Sequence, residues 1–309
     1  MEKKLQYFTT MVLNRKVWKS VLGKHQLIIP DAIEDNNKHW ISEQYTFTLT
    51  KDYFNEWNKL FKSENVEPCV PYTYYWPQQI NFLMEKLLPD LGLSLRKSYH
   101  LGQETVHYNS YSVGKKYRAK FHLADLCALK RNRIMMVTQM IIEDNDGNKI
   151  FQSTDYTIVM DILPEDLATI SSSTHLNNTR LLFMENGFSK RDPMFADVSK
   201  AKYRASYYCK DDLWLTFGLV AGAFSITHGI GIISRNLRGE EPFMQGMCSG
   251  NIALMLLTHK LGENLKRFNV YFNNKLYFPQ NVEVRCDDTF FELFDEKGDM
   301  VVFGSRTKE

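Results

Sequence analysis

The side chains with the widest chemical reach gather in two short stretches of the second half. Tyr207-Tyr208-Cys209-Lys210-Asp211-Asp212-Leu213 sets a phenol, a thiol, an amine and two carboxylates side by side. Ala223 to Arg235 carries Thr227, His228, Gly229 and Ser234 inside an apolar run. A carboxylate such as Asp211 can move protons to and from carbon or oxygen when an apolar surround raises its pKa. Lysine needs strong desolvation to stay neutral for the same task. The plainer readings stand beside these. Adjacent carboxylates also make solvated turns and helix caps, Tyr208 fits a packed strand, and a helix histidine is often satisfied by a neighbour. The remaining clusters point to no metal or nucleotide. Cys69, Cys127, Cys209, Cys248 and Cys286 are scattered without a Cys-x-x-Cys, and the histidines lack metal-ligand spacing. Gly229-x-Gly231 has no βαβ context. Asp144-Asn145-Asp146-Gly147 is a turn, because the rest of a calcium loop is missing.

The elements that must hold these residues are mostly strands. Ile80, Phe82, Leu83, Leu87 and Leu88 recur at helical spacing after Pro77 and before Pro89, which predicts a helix over about 77–88. Strand patterns follow at 105–108, within 116–129, at 134–143 and at 149–160, the last two around an Asp-Asn-Asp-Gly-Asn turn. Residues 166–192 are rich in turn formers, with Ser171-Ser172-Ser173 and Asn177-Asn178-Thr179, and read as a linker. Beyond it, 202–208 is strand or loop and 217–237 is an apolar helix. A polar insertion with a second helix, 251–261, comes next, and strands follow at 270–276, 281–285, 290–294 and 300–304. Each half thus runs from an apolar helix into antiparallel strands. Each closes on a strand, Asp-x-x-Gly turn and strand, at Asp144–Gly147 and Asp295–Gly298. Two such series in the same order indicate an internal duplication. The physical picture is an antiparallel sheet wrapping one buried helix, made twice.

Composition bounds the partners. The chain has 309 residues, enough for two domains, with 44% hydrophobic and 24% charged residues, as in a folded globular protein. Its formal charge of +2 gives no electrostatic case for nucleic acid. Twenty Phe and sixteen Tyr suit sheet faces and apolar pockets. The N-terminus lacks an apolar signal core, and the cysteines read as reduced, buried thiols. Phe217–Ser234 is apolar enough to raise the question of a membrane span. Thr227, His228 and four glycines within it favour a helix buried in protein. A cytoplasmic protein with no membrane partner is expected.

The segment Ile226-Thr227-His228-Gly229-Ile230 resembles the Ile-Thr-His-Gly-Met segment of the MaoC-like acyl dehydratases and hydratases. Tyr72-Thr73-Tyr74-Tyr75-Trp76-Pro77 is similar to their Leu-Thr-Tyr-Pro-His start, and Gly102-Gln103-Glu104-Thr105-Val106-His107 to their Gly-Leu-Val-His strand. The resemblance covers residues 68 to 309 in the family's order. It implies an α+β tandem (double) hotdog fold, with antiparallel sheets each wrapped round a central helix. Residues 1–67 are an N-terminal extension, 68–165 and 193–309 the two units, and 166–192 the linker. The halves make an internal pseudo-dimer, so further homo-oligomers are not required.

The resemblance also implies reversible hydration or dehydration of 2-enoyl/3-hydroxyacyl thioesters, without metal or cofactor. The partner is an acyl-CoA or acyl-carrier-protein thioester. A backbone N–H at a helix start would stabilise the enolate oxygen, a role that falls on Gly229, which equally fits a close-packed helix glycine. The family's Ser-Gly-Asp-x-Asn-Pro-x-His motif, whose Asp and His are catalytic, is not restored. Aligned on Ser206, Tyr208 and Leu213 replace the pair; counted back from Gly229, Ser206 and Asp211 do. Asp211, with Asp212 beside it, is the candidate acid/base, and Tyr208, Thr227, His228 and Ser234 are candidate substrate contacts. A mostly apolar tunnel is expected between the halves, entering near Thr227-His228-Gly229, with Arg235, Arg238, Lys266 and Arg267 toward the carrier phosphates. The other reading is a non-catalytic thioester-binding or partner subunit that kept the scaffold and lost the dyad.

Overall fold

A computed structural model describes residues 44–60, 79, 82–88, 91–93, 97–109, 111–170, 191–221, 241–261 and 265–307. Strand β1 (Gln44–Thr48) and helix α1 (Lys51–Leu60) precede a short π-type helical stretch at Leu83–Leu87. Then come β2 (Ser98–His107), β3 (Lys116–Leu129), β4 (Arg133–Asp144), β5 (Lys149–Val159) and α2 (Pro164–Ile170). The second half holds β6 (Tyr203–Cys209), α3 (Leu213–Ala221), α4 (Gly246–Leu261), β7 (Arg267–Phe272), β8 (Gln280–Cys286), β9 (Phe290–Phe294) and β10 (Met300–Thr307).

All ten strands form one antiparallel sheet in the order β1-β3-β4-β5-β2-β7-β10-β9-β8-β6. Read outward from the β2–β7 seam, the halves are mirror series: 2-5-4-3-1 and 7-10-9-8-6. Each half is the same five-strand unit, which is the tandem hotdog that the resemblance implies. The two hairpin turns match atom for atom. Asp144 Oδ1 accepts from the amides of Asp146 and Asn148, and Asp295 Oδ1 from those of Lys297 and Asp299. Gly147 and Gly298 both sit at φ +84°, which a side chain rarely tolerates.

Two differences from the sequence reading concern boundaries. Strand β1 occupies the place in the first unit that β6 occupies in the second, so the first unit begins by residue 44 rather than 68. An edge strand paired with β3 alone needs little apolar patterning, and Gln44-Tyr45-Thr46-Phe47-Thr48 shows little. The second difference is the wrapped helix. Expected at 217–237, it is α4, the segment read as a helix after a polar insertion. Residues 247–257 of α4 are buried without interruption and pack against β6 to β10. The donors of the buried polar side chains of α4 are met by its own backbone, while Asn251 Oδ1 has no partner among the described residues. Asn251 Nδ2 donates to Met247 O (3.0 Å), Thr258 Oγ1 to Leu254 O (2.8 Å) and Ser249 Oγ to Gln245 O (3.4 Å). Bonded one turn back, they enter the core without stranding a donor. Of the 217–237 stretch, 217–221 belong to α3 and the rest lies outside the described residues.

The seam is close-packed. Gly102 of β2 faces Tyr271 of β7, and a Cβ on it would meet the Tyr271 ring and stand 2.6 Å from Val270 O. Beside it, Tyr156 of β5 and Tyr271 each donate a phenol to Glu104 Oε1 at 3.0 Å, bonding the two units through one carboxylate. Replacing Gly102 by valine should therefore destabilise the whole chain by about 1–3 kcal/mol, the usual cost of overpacking. Chemical unfolding of the variant checks this, and unchanged stability would mean the seam is not packed this way.

Candidate functional site

In the second unit, β6 ends at Cys209 and a turn at Asp211-Asp212 leads into α3. The Asp212 carbonyl accepts from the amides of Leu215 and Thr216, both at 3.1 Å. Both carboxylates are exposed, and Tyr208 is 52% exposed on the edge strand. The apolar surround that an acid/base role for Asp211 calls for is thus not present at the turn. Thr227, His228, Gly229, Ser234, Arg235 and Arg238 lie outside the described residues. Lys266 and Arg267 stand exposed where β7 begins, and Arg267 pairs with Val106 across the seam. Four of the cysteines are buried free thiols, as expected. Burial pushes Cys209 up to about 12 and Cys127 and Cys248 upward as well, so these thiols are poor nucleophiles.

The helix segment expected around Gly229 lies outside the described residues, and the wrapped helix of the second unit starts at Gly246. Gln245-Gly246-Met247 opens the wrapped helix, with Gln245 buried. Gly246 lies flat on the Phe272 ring: a Cβ there would stand 3.2 Å from its carbons. A glycine at this point lets a ligand or a neighbouring ring approach the backbone at the helix's positive end.

The first unit holds a cluster that the sequence reading passed over. On the helix-facing side of the sheet, the register aligns His100 with Thr157, Gln103 with Asp155 and Thr105 with Ser153 on β2 and β5, and Thr138 of β4 faces Asp155. These positions share one side of the sheet because side chains alternate with period two. A β-bulge between His100 and Gly102 keeps His100 on that face. All but His100 are buried, in an otherwise apolar interior. Gln79, buried on the segment above the sheet, completes the group.

Asp155 is the hub. His100 Nε2 lies 3.2 Å from its Oδ1. Its Oδ2 accepts from Gln79 Nε2 and, at 3.2 Å, from Ser153 Oγ. Gln103 Nε2 donates to Gln79 Oε1 at 3.1 Å. Burial raises the Asp155 carboxyl above its ordinary range, while the His100 and Ser153 bonds act to lower it. Four buried polar atoms of the cluster, His100 Nε2, Asp155 Oδ1, Gln103 Oε1 and Thr105 Oγ1, have no hydrogen-bond partner among the described residues. The imidazole is about one-fifth exposed, and its ring centroid is 5.1 Å from that of Phe272, the ring on which Gly246 rests. The signal for this cluster was Ser153, Asp155 and Thr157 at alternate positions, with Gln103 and Thr105 alike on β2. Period-two polarity ordinarily marks a solvated face, and only the pairing register shows that this face points inward.

Among the described residues no three metal-binding side chains come together, and no helix is long and apolar enough to cross a membrane. No protein-family model matches the chain, and no curated protein does. Solved structures do. A MaoC-like dehydratase from Phytophthora capsici superposes with a TM-score of 0.65 at 14% identity, over 87% of this chain and 95% of that one. The full-length peroxisomal multifunctional enzyme type 2 of Drosophila melanogaster gives 0.62 at 13% identity, over 86% of this chain and 48% of its own. A Mycobacterium tuberculosis protein with a double hotdog fold gives 0.52 at 10% identity, over 89% and 96%. The fold is the double hotdog, shared with MaoC-like dehydratases.

The Asp155 environment has a measurable consequence. Its carboxyl is raised in the fold above the unfolded value of about 3.9, so the folded state holds that proton more tightly. Its contribution to stability is then full below that value and is lost as pH rises through the folded one. Of the groups facing it (His100, Gln79, Gln103 and Ser153), only His100 can carry charge. Urea unfolding of wild type and Asp155→Asn between about pH 4 and 8 should show the difference moving in the variant's favour as pH rises. The opposite trend would mean that the fold holds the Asp155 carboxyl below, not above, its ordinary range.

Proposed function

We propose that this chain binds acyl thioesters, on coenzyme A or an acyl-carrier protein, and catalyses reversible addition of water to the 2-enoyl form. The observation that carries the reading is the wrapped helix α4 opening on Gly246 beside the β2–β7 seam. A helix start offers unsatisfied N–H groups to the oxygen on which enolate charge develops. The apolar interior of the two units suits an acyl chain, which binds by burial of area. Lys266 and Arg267, exposed where β7 begins, are candidates to meet the carrier's phosphates. The neighbours described as MaoC-like dehydratases support the same general chemistry.

Placing the wrapped helix at Gly246 also offers a new frame for the family motif. Ala221-Gly222-Ala223-Phe224-Ser225-Ile226-Thr227-His228, set against Ser-Gly-Asp-x-Asn-Pro-x-His, keeps the glycine and the histidine. Ala223 stands for the carboxylate and Ser225 for the asparagine, and Gln245-Gly246-Met247 then matches His-Gly-Met. In this frame His228 aligns with the motif's histidine but has lost the carboxylate partner, and Gly246, rather than Gly229, is the helix-start glycine. Tyr208, Thr227 and Ser234 remain candidate substrate contacts, and Asp211 and Asp212 candidates for the missing carboxylate. The loss at Ala223 favours one second reading, a binding or partner subunit without turnover.

The test pairs binding with turnover. Crotonyl-CoA and longer enoyl-CoAs should raise the melting temperature, since a ligand at 100 times its Kd stabilises the native state by about 2.7 kcal/mol. Enoyl absorbance should fall with wild-type protein. A carboxylate doing acid/base work is worth about 10²–10⁴-fold. Because Asp211 and Asp212 are exposed, their Asn variants are expected to keep the rate within that margin. A loss of that size in either variant would assign it the role. Binding without turnover would establish the second reading, and no thermal shift with any thioester would sink both.

A further inference from the structure

We infer that the first unit supplies the acid/base group of this site: His100, oriented by Asp155, acting across the seam from the Gly246 start of α4. The inference rests on the hydration reading above and names the group that does its proton transfer.

Three observations carry it. The first is the arrangement of the pair. His100 Nε2 lies 3.2 Å from Asp155 Oδ1, an ion-pair contact that is not aligned as a hydrogen bond, and a carboxylate at that distance favours the proton on Nε2 and the lone pair on Nδ1. Among the described residues no group bonds Nδ1, and the ring is partly exposed while Asp155 is not. A carboxylate locked by Gln79 and Ser153, holding an imidazole by its inner nitrogen, keeps the outer nitrogen in one direction as a base. The second is placement. His100, on β2 of the first unit, and Gly246, at the start of α4 in the second, both lie against the same ring, Phe272 of β7. The second unit's helix start and the first unit's imidazole thus adjoin one aromatic side chain. The third is that the cluster carries unmet polar capacity. Gln103 Oε1 and Thr105 Oγ1 are buried acceptors with no partner among the described residues, beside the pair and able to hold a water or a hydroxyl. A polar strip across three strands is costly for a surface that only cradles an acyl chain. It is what a water-handling site needs.

The step balances without any further reagent. Water gives a proton to His100 Nδ1 as its oxygen bonds to C3 of the enoyl thioester. The C2–C3 π pair moves toward the carbonyl, and the enolate oxygen is held by the N–H groups at the start of α4. The imidazolium then returns the proton from Nδ1 to C2, so one water is added and His100 is neutral again. Asp155 stays paired with Nε2 throughout and acts as a positioning residue.

The experiment uses the full chain and three variants: His100→Gln, Asp155→Asn and, as a control away from the cluster, His122→Gln, whose ring bonds Gln139. Crotonyl-CoA hydration is followed by loss of enoyl absorbance. Binding of the saturated butyryl-CoA and the melting temperature are measured alongside. His100→Gln should lose about 10²–10⁴-fold in kcat/KM while butyryl-CoA binding and melting temperature hold. Asp155→Asn should lose roughly tenfold or more, because the amide no longer dictates the tautomer. His122→Gln should match wild type. If Asp155→Asn fails to fold, the partly exposed His100 still gives the answer. An active wild type with a fully active, folded His100→Gln overturns this assignment and leaves the hydration reading standing. A wild type that turns over no enoyl thioester overturns both.

Discussion

A helix that is apolar around its whole circumference can stand in water only if something surrounds it, and α4 is such a helix. Its Ser249, Asn251 and Thr258 donors have bonded back onto its own carbonyls, so apart from Asn251 Oδ1, which has no partner among the described residues, it asks its surroundings chiefly for area. Five antiparallel strands curled round it supply that area. A single wrapped unit leaves the edge strand β7 unpaired. The first unit, built to the same order, covers it with β2. Edge pairing at the seam thus removes the exposed hydrogen-bonding groups that would otherwise invite aggregation. It also sets the geometry of everything functional, because the seam runs past the start of α4.

What the sequence made legible was whatever depended on local chemistry. The strands at 116–129, 134–143 and 149–160 emerge with close to their expected bounds, since their residues must alternate or run apolar wherever they pair. The duplicated turns are visible because an Asp that bonds the amides two and four residues on, with a glycine between, leaves a fixed spacing. What it concealed depended on the third dimension. The stretch at 217–237 looked more like a buried helix than 246–261 did, because Ser249, Asn251 and Thr258 count as polar until their bonds are known. In the proposed reading that displacement moves the helix-start glycine from Gly229 to Gly246.

The polar strip was hidden for a related reason. Gln103, Thr105, Ser153, Asp155 and Thr157 have the spacing of a water-facing strand surface. Here both faces of the strand are covered: Tyr156 and Ile158 pack on one side while Ser153, Asp155 and Thr157 turn to the interior on the other. A buried carboxyl needs partners: Asp155 Oδ2 accepts from Gln79 and Ser153, while Oδ1 has the His100 ring 3.2 Å away and no hydrogen bond among the described residues. The architecture therefore divides its work between the halves. In the proposed reading the second unit offers a helix start for negative charge and the first an imidazole, and both adjoin the Phe272 ring.

The central claim is that a thioester is handled at this seam, between His100 and Gly246. The most direct measurement is a crystal structure of the full chain with butyryl-CoA, whose saturated chain cannot react. The account predicts the thioester carbonyl oxygen within hydrogen-bond reach of an N–H at the start of α4. It also predicts C3 of the acyl chain within about one water's span of His100 Nδ1. A thioester bound with its carbonyl at the exposed Asp211-Asp212 turn, and the His100–Asp155 pair far from the ligand, would contradict it.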